Sequence, residues 1–298
     1  MTASVKLSVI VAVQYAEGNL TDIVASLDPG QHPEVEFIFC YTQADPQTSD
    51  YLPVLENIVA LEAPVGSLIP HLWAHGIRSA TGEAVAVTTA HVIPETDWLD
   101  ILMQTTLTDY PGVGGVIVND PGASYRDWAI YLLRYIAFSP PAVESVVDEI
   151  AADNALYCRK TLLEHHDLLD TGFWEPSFHA RFRKQGQHLL LNPELIVVHR
   201  NQYSCSQFFF QRYAHGRAFG LARAIQLSKM KRRILIVLSL ILPAVFLGKI
   251  VSSVFKQGLY TSYLFGSFPW LLWFLFGWGL GEARGYLDSL HNDMEKSS

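Results

Sequence analysis

Residues 82–99 read GEAVAVTTAHVIPETDWL. Residues 84–88 are small or β-branched, and they stop at Thr89-Ala90-His91 before Pro94 and the aromatic landing Asp97-Trp98-Leu99. Such a run between a glycine and a polar triplet predicts a short buried strand. In open α/β sheets the place just beyond a strand's carboxyl end carries the chemistry. Here that tip offers a threonine, an alanine and a histidine, and no carboxylate.

Working outward, the periodicity alternates strand and helix. Residues 7–13 are a β-branched run suited to a parallel strand buried on both faces. Helical spacing follows over 19–27, then strands over 34–41 and 58–61, a helix over 70–79 and the strand at 84–88. Beyond the triplet the spacing predicts a helix over 98–106, a strand over 114–118 and helices over 125–138, 154–163 and 178–185. Strand-like pieces at 189–191 and 195–198 follow. This order predicts a doubly wound α/β sheet.

Charge divides the chain in two. Residues 1–194 carry 25 acidic against 9 basic side chains, and residues 195–298 carry 4 against 12. The acidic part argues against nucleic acid, which needs a basic face. The 50% hydrophobic content points to a membrane part. Residues 258–281 carry no charge, and residues 234–255 carry only Lys249; a helix of about 20 residues crosses a hydrocarbon core. Two transmembrane helices are therefore expected over 234–281, with a tail over 282–298. Residues 204–233 interleave Phe208, Phe209, Phe210, Tyr213 and Phe219 with arginines. They read as a basic amphipathic helix in the membrane interface, or as a core helix. The basic residues ahead of the first span place the preceding domain on the cytoplasmic side of a cell membrane, as a multi-pass protein. Cys40, Cys158 and Cys205 show no metal spacing and fit a reducing compartment.

The pieces in order resemble the family 2 glycosyltransferases. Ser8-Val9-Ile10-Val11-Ala12 is similar to that family's opening strand, and Gly76-Ile77, Ala80 and Gly82-Glu83 to its N-x-G-I-x-x-A-x-G-E. Residues 82–99 match its G-E-x-V-A-F-x-D-A-D, Pro and D-W-L in everything except the acids. The resemblance covers about residues 7–215. It implies a GT-A-like, Rossmann-like mixed sheet flanked by helices over 1–203. It also implies transfer of a sugar from a nucleotide-sugar donor to a lipid-linked or polymeric acceptor.

By the same resemblance, Ala12, Gln14, Tyr41, His91 and His199 border the donor. The family's acids hold a divalent metal, Mg or Mn, against the leaving diphosphate; Thr89-Ala90-His91 supplies no anionic oxygen. His91 reads either as a metal or diphosphate contact or as a packing histidine. Cys40-Tyr41-Thr42 lacks the family's base-binding aspartate, and Trp73-Ala74 replaces Arg-Asn. On the acceptor side GFWEPSFHARFRKQGQHLLLNPELIVVHR places Glu175 at the family's catalytic carboxylate, with Gly186, Pro193 and His199 in step. Glu175 is the implied general base of an inverting transfer, with burial between Trp174 and Phe178 expected to raise its pKa; a helix-capping glutamate is the plain alternative. Arg212 and Arg217 are candidate acceptor or phosphate contacts, and with Arg78 could replace the metal's charge. The rival reading is an inactive membrane subunit that keeps the fold.

Overall fold

A computed structural model describes residues 6–15, 17–44, 46–201, 203–225 and 227–295. These residues form two compact units. One comprises the chain through Pro121 together with Phe138 to Asn201; the other comprises Gly122–Ala137 and the chain from Tyr203 onward.

The first unit is built on a nine-stranded mixed sheet. In chain order its elements are β1 (Leu7–Ala12), α1 (Glu17–Leu27), β2 (Val35–Thr42), β3 (Ile58–Ala63), α2 (Ile69–Ser79), β4 (Ala84–Thr89), β5 (Val92–Pro94), α3 (Trp98–Gln104) and β6 (Gly112–Asn119). After α4 (Tyr125–Tyr135), which belongs to the second unit, come β7 (Ser145–Val147), β8 (Asn154–Cys158), α5 (Arg159–Glu164), α6 (His166–Leu169), α7 (Glu175–Lys184) and β9 (Leu189–His199).

The strand order is β3-β2-β1-β4-β8-β6-β9-β5, with β7 beside β9. β1 is buried at every position because it is central and both of its faces are covered. On one face Ile10, Ile38, Val85 and Val87 pack with Leu72, Trp73 and Ile77 of α2 and Phe178 and Phe182 of α7. Each such side chain stabilises the fold by about 1.5–3 kcal/mol when fully buried. β1 through β4 pair in parallel, whereas β8 enters antiparallel between β4 and β6.

This insertion corrects the helix expected over 154–163. Asn154 to Cys158 is a strand, and the helix begins at Arg159. Buried Asn154 decides it: its Oδ1 accepts from Trp98 Nε1 (2.7 Å), and its Nδ2 donates to the carbonyls of Val116 (3.0 Å) and Leu195 (2.9 Å). One amide thereby joins α3, β6 and β9 to β8, which helical spacing cannot reveal. The two strand pieces at 189–198 form the single strand β9.

The second unit contains α4, α8 (Cys205–Ala224), α9 (Lys229–Ser239), α10 (Leu242–Gln257) and α11 (Thr261–Glu295). α8 and α11 cross at small residues. A Cβ added to Gly216, Gly220, Gly281 or Gly285 would collide with backbone of the facing helix, so the glycines permit the approach. Among the described residues, one helix, over Thr261–His291, is by itself long and apolar enough to cross a membrane. The stretch expected to be the first span is broken between α9 and α10, which meet at a 58° bend and pass the same test of length and apolarity only as a pair. Pro243 at the start of α10 cannot donate the hydrogen bond that would continue α9. Residues 282–295 of the expected tail continue α11, and 296–298 lie outside the described residues.

Candidate functional site

Because β8 is antiparallel to both β4 and β6, strands β1, β2, β4, β6 and β9 all point the same way. Their carboxyl ends, Ala12, Thr42, Thr89, Asn119 and His199, therefore share one edge. Crevices for ligands form at such edges.

Four of the five donor residues expected from the sequence meet there. Ala90 N donates to Ala12 O (2.9 Å), and His91 Nε2 to Gln14 O (2.8 Å). A carbonyl only accepts, so Nε2 carries the proton. Val92, next to His91, pairs with His199 in the β5–β9 ladder, and Arg200 N donates to His91 O (2.8 Å). His199 Nδ1 donates to Asn119 Oδ1 (2.9 Å). Asn19 Nδ2 bonds both Ala90 O (3.1 Å) and Arg200 O (2.8 Å), tying α1 to the corner. Both histidines are buried, as is the fifth residue, Tyr41, at the end of β2.

Two residues of the corner escaped the sequence reading. Asp153, 4% exposed, accepts from Thr89 Oγ1 on Oδ1 (3.0 Å), and its backbone carbonyl accepts from Thr88 Oγ1 (2.9 Å). The corner thus contains a carboxylate after all, delivered from the start of β8. The Asp153-Asn154 pair could have signalled a strand start had 154–163 not read as helix. Arg200 follows β9 and pairs with Asp22 (2.7 Å) and Asp120 (3.1 Å).

The corner does not fit a carboxylate-held divalent ion. Among the described residues no three His, Cys, Asp or Glu side chains gather as ligands. Asp153 is one hard ligand engaged by a hydroxyl, and a hard cation takes several oxygens.

Trp73 lies in α2. It is buried, and its Nε1 donates to Thr88 O (2.7 Å). Arg78 lies at the far end of α2, paired with Asp170 (2.8 Å). Since α2 leaves the carboxyl edge of the sheet, its last turn points away from the corner.

Glu175, half-buried, is the first residue of α7, after Trp174 as N-cap. The start of α7 lies against the start of α2: Phe173 N donates to Pro70 O (2.7 Å), and His71 meets the Trp174 ring edge-on at 6.2 Å. Burial holds His71 below the usual imidazole value, partly offset by a bond to the Thr171 backbone. The corner with the two histidines reaches the same place through Gln14 Nε2, which contacts Ser67 O just ahead of α2 (3.4 Å). Glu175 and the two histidines therefore stand on one edge of the sheet.

One turn along α7, His179 Nδ1 donates to Glu149 Oε2 (2.6 Å), and its Nε2 is 2.9 Å from the Tyr157 hydroxyl. Arg183 Nη1 bonds the other Glu149 oxygen (2.9 Å). Burial raises the Tyr157 pKa well above 10, and the charges of Glu175 and Glu149 add to it. Burial pushes the Glu149 carboxyl up, but His179 and Arg183 together outweigh this and hold it below the ordinary value. These residues lie on three segments, so no motif announces them.

Arg212 and Arg217 belong to the second unit. Arg212 is buried over the rings of Phe208 and Trp278 and bonds Gln211 Oε1 (2.9 and 2.6 Å). Arg217 pairs with Asp288 (2.6 Å).

No protein-family profile matches the chain, and no curated protein matches it. Solved structures do. Mannosyltransferase PcManGT from Pyrobaculum calidifontis, in complex with GDP-Man and Mn2+, matches over 98% of this chain and 88% of its own. The TM-score is 0.51 and the sequence identity 16%. The likeness is one of fold. The agreement extends to the mixed sheet with flanking helices, and the coverage takes in both units.

Proposed function

We propose that this chain is a membrane-anchored glycosyltransferase of the family 2 type. It moves a sugar from a nucleotide-sugar donor to a lipid-linked or polymeric acceptor, with inversion and with Glu175 as base. The observation that carries the reading is the joined edge: Ala12, Gln14, His91 and His199 are connected at the carboxyl ends of a glycosyltransferase sheet, and Gln14 links them through Ser67 to the α2 start beside Glu175. In the transfer, Glu175 takes the proton of an acceptor hydroxyl as that oxygen attacks the anomeric carbon, and the nucleotide leaves from the opposite face. The donor of the matching mannosyltransferase, GDP-Man, supports a nucleoside-diphosphate sugar. That structure also holds Mn2+, and among the described residues of this chain no group of His, Cys, Asp and Glu gathers to hold such an ion, so donor binding is proposed to be insensitive to divalent metal.

The membrane part of the proposal rests on the Thr261–His291 helix and on exposed Ile234, Val237, Phe265, Leu272 and Trp273. A second reading, an inactive glycosyltransferase-like membrane subunit with a binding or scaffolding role, is favoured by the absence of acids at Thr89-Ala90-His91. Calorimetric titration with GDP- and UDP-sugars, with and without Mn2+, separates the two. Binding unaffected by Mn2+ is expected. No binding under any condition overturns the enzymatic reading, and a strict Mn2+ requirement overturns the metal-independent corner.

A further inference from the structure

The first turn of α9 and the last turns of α11 enclose a cleft of about 540 Å³, lined by Lys229, Arg233, Arg284, Leu287, Asp288 and His291, with Leu290 beside them. Lys229 and Arg233 are one turn apart on the same helix face, and neither has an ion-pair partner among the described residues. Arg284 pairs with Asp288 (2.7 Å), which is shared with Arg217 (2.6 Å). Among the described residues the cleft therefore keeps an excess of positive charge, with the Asp288 carboxylate already occupied. The start of α9, capped by Ser228, adds a partial positive charge from the helix dipole. The apolar part of the lining is equally informative. Leu287 is exposed in the cleft, and α9 continues from its cations into exposed Met230, Ile234, Val237 and Leu238. Cations at one end of an exposed apolar helix face match a molecule with an anionic head and an acyl tail.

The geometry points to an anion site in this cleft for a phosphate-bearing headgroup, formed by Lys229, Arg233 and Arg284, with Leu287 against the first carbons of the chain. This goes beyond the donor and acceptor sites, and its lipid source rests on the proposed membrane association. Phosphate oxygens accept from the ammonium and the two guanidinium groups, while the chain covers apolar surface that water would otherwise meet.

The test uses the purified full chain and two variants, Lys229→Gln/Arg233→Gln in the cleft and Lys249→Gln/Lys256→Gln on α10 outside it. The two remove equal charge. Flotation is measured with phosphatidylcholine vesicles and with phosphatidylcholine–phosphatidylglycerol vesicles, and thermal stability is measured with glycerol phosphate. Each cation near an anionic surface is worth about five-fold in binding, so the cleft variant is expected to lose roughly 25-fold in affinity for the anionic vesicles. The α10 variant should lose much less. If glycerol phosphate stabilises the parent and not the cleft variant, without a vesicle difference, the site stands with a soluble phosphate as its source. Equal losses in both variants reduce the cleft to general electrostatics and overturn the site, as does no loss in either with no glycerol phosphate effect. If the parent binds no vesicles, the membrane reading fails by itself, and the glycerol phosphate arm alone decides the site.

Discussion

The α8–α11 crossing gives a prediction whose sign the structure dictates. A methyl group on Gly281 would fall within 3.0 Å of the carbonyl oxygen, carbonyl carbon and Cα of Tyr213. All three are backbone atoms, so no side chain can swing aside. Carbon atoms pack at about 3.5–4.0 Å, and the helices must separate by roughly 1 Å to restore that spacing. Separation would also loosen Gly216 against Trp278 and Gly285 against Gly220. Overpacking costs about 1–3 kcal/mol, here at the upper end, while alanine returns about 1 kcal/mol of helix propensity. Gly281→Ala should therefore lose about 2 kcal/mol net, a fall in Tm of about 4–8 °C. Gly248 in α10 is the control, because a Cβ there meets nothing within 4 Å. Gly248→Ala should raise Tm by about 2–4 °C through propensity alone. The assay is thermal unfolding of the full chain followed by far-ultraviolet circular dichroism in one detergent. If Gly281→Ala melts at or above the parent, the close crossing is refuted.

Four further outcomes are expected. Glu175→Gln should abolish sugar transfer while nucleotide affinity by calorimetry stays unchanged, and undiminished turnover removes Glu175 from the mechanism. Asn154→Ala leaves the Trp98 indole and the Val116 and Leu195 carbonyls without this partner, for a loss of about 3 kcal/mol in urea unfolding; a loss under about 1 kcal/mol argues against its role in holding β8. Glu149, held below its ordinary 4.5, contributes stability that is present above that pH and lost as pH falls through its folded value. Glu149→Gln should therefore flatten the acid limb of the stability curve below pH 4.5, and parallel limbs would contradict this. Burial pushes the Cys40 thiol up to about 12, so thiol titration of the folded chain should leave Cys40 unmodified until denaturant is added; mass-mapped labelling of native Cys40 counts against that burial.

The meeting of Ala12, Gln14, His91 and His199 at one edge was legible because its pieces are local. Ala12 and Gln14 follow one apolar run and His91 and His199 end two others, so knowing that parallel strands share an edge is enough to bring them together. Asp153 was not legible, since its place beside Thr89 depends on β8 running antiparallel between β4 and β6. The Glu149–His179–Tyr157 chain was hidden for the same reason. In the second unit, Gly216-x-x-x-Gly220 and Gly277-x-x-x-Gly281-x-x-x-Gly285 carry a signal for close helix crossing that apolar span length does not register.

By itself the sequence determined the alternation of β1 to β4 with their helices, the acid-free tip at Thr89-Ala90-His91, the division of charge and the apolar run inside α11. Each is a property of neighbouring residues, fixed by periodicity, composition or the types present. Only the tertiary structure decided that residues 154–158 form a strand and that Asp153 returns a carboxylate to the corner. A short apolar run has no preference strong enough to choose between helix and strand. Asn154 chooses strand because its amide has three partners on α3, β6 and β9, and those partners exist together only in the folded sheet.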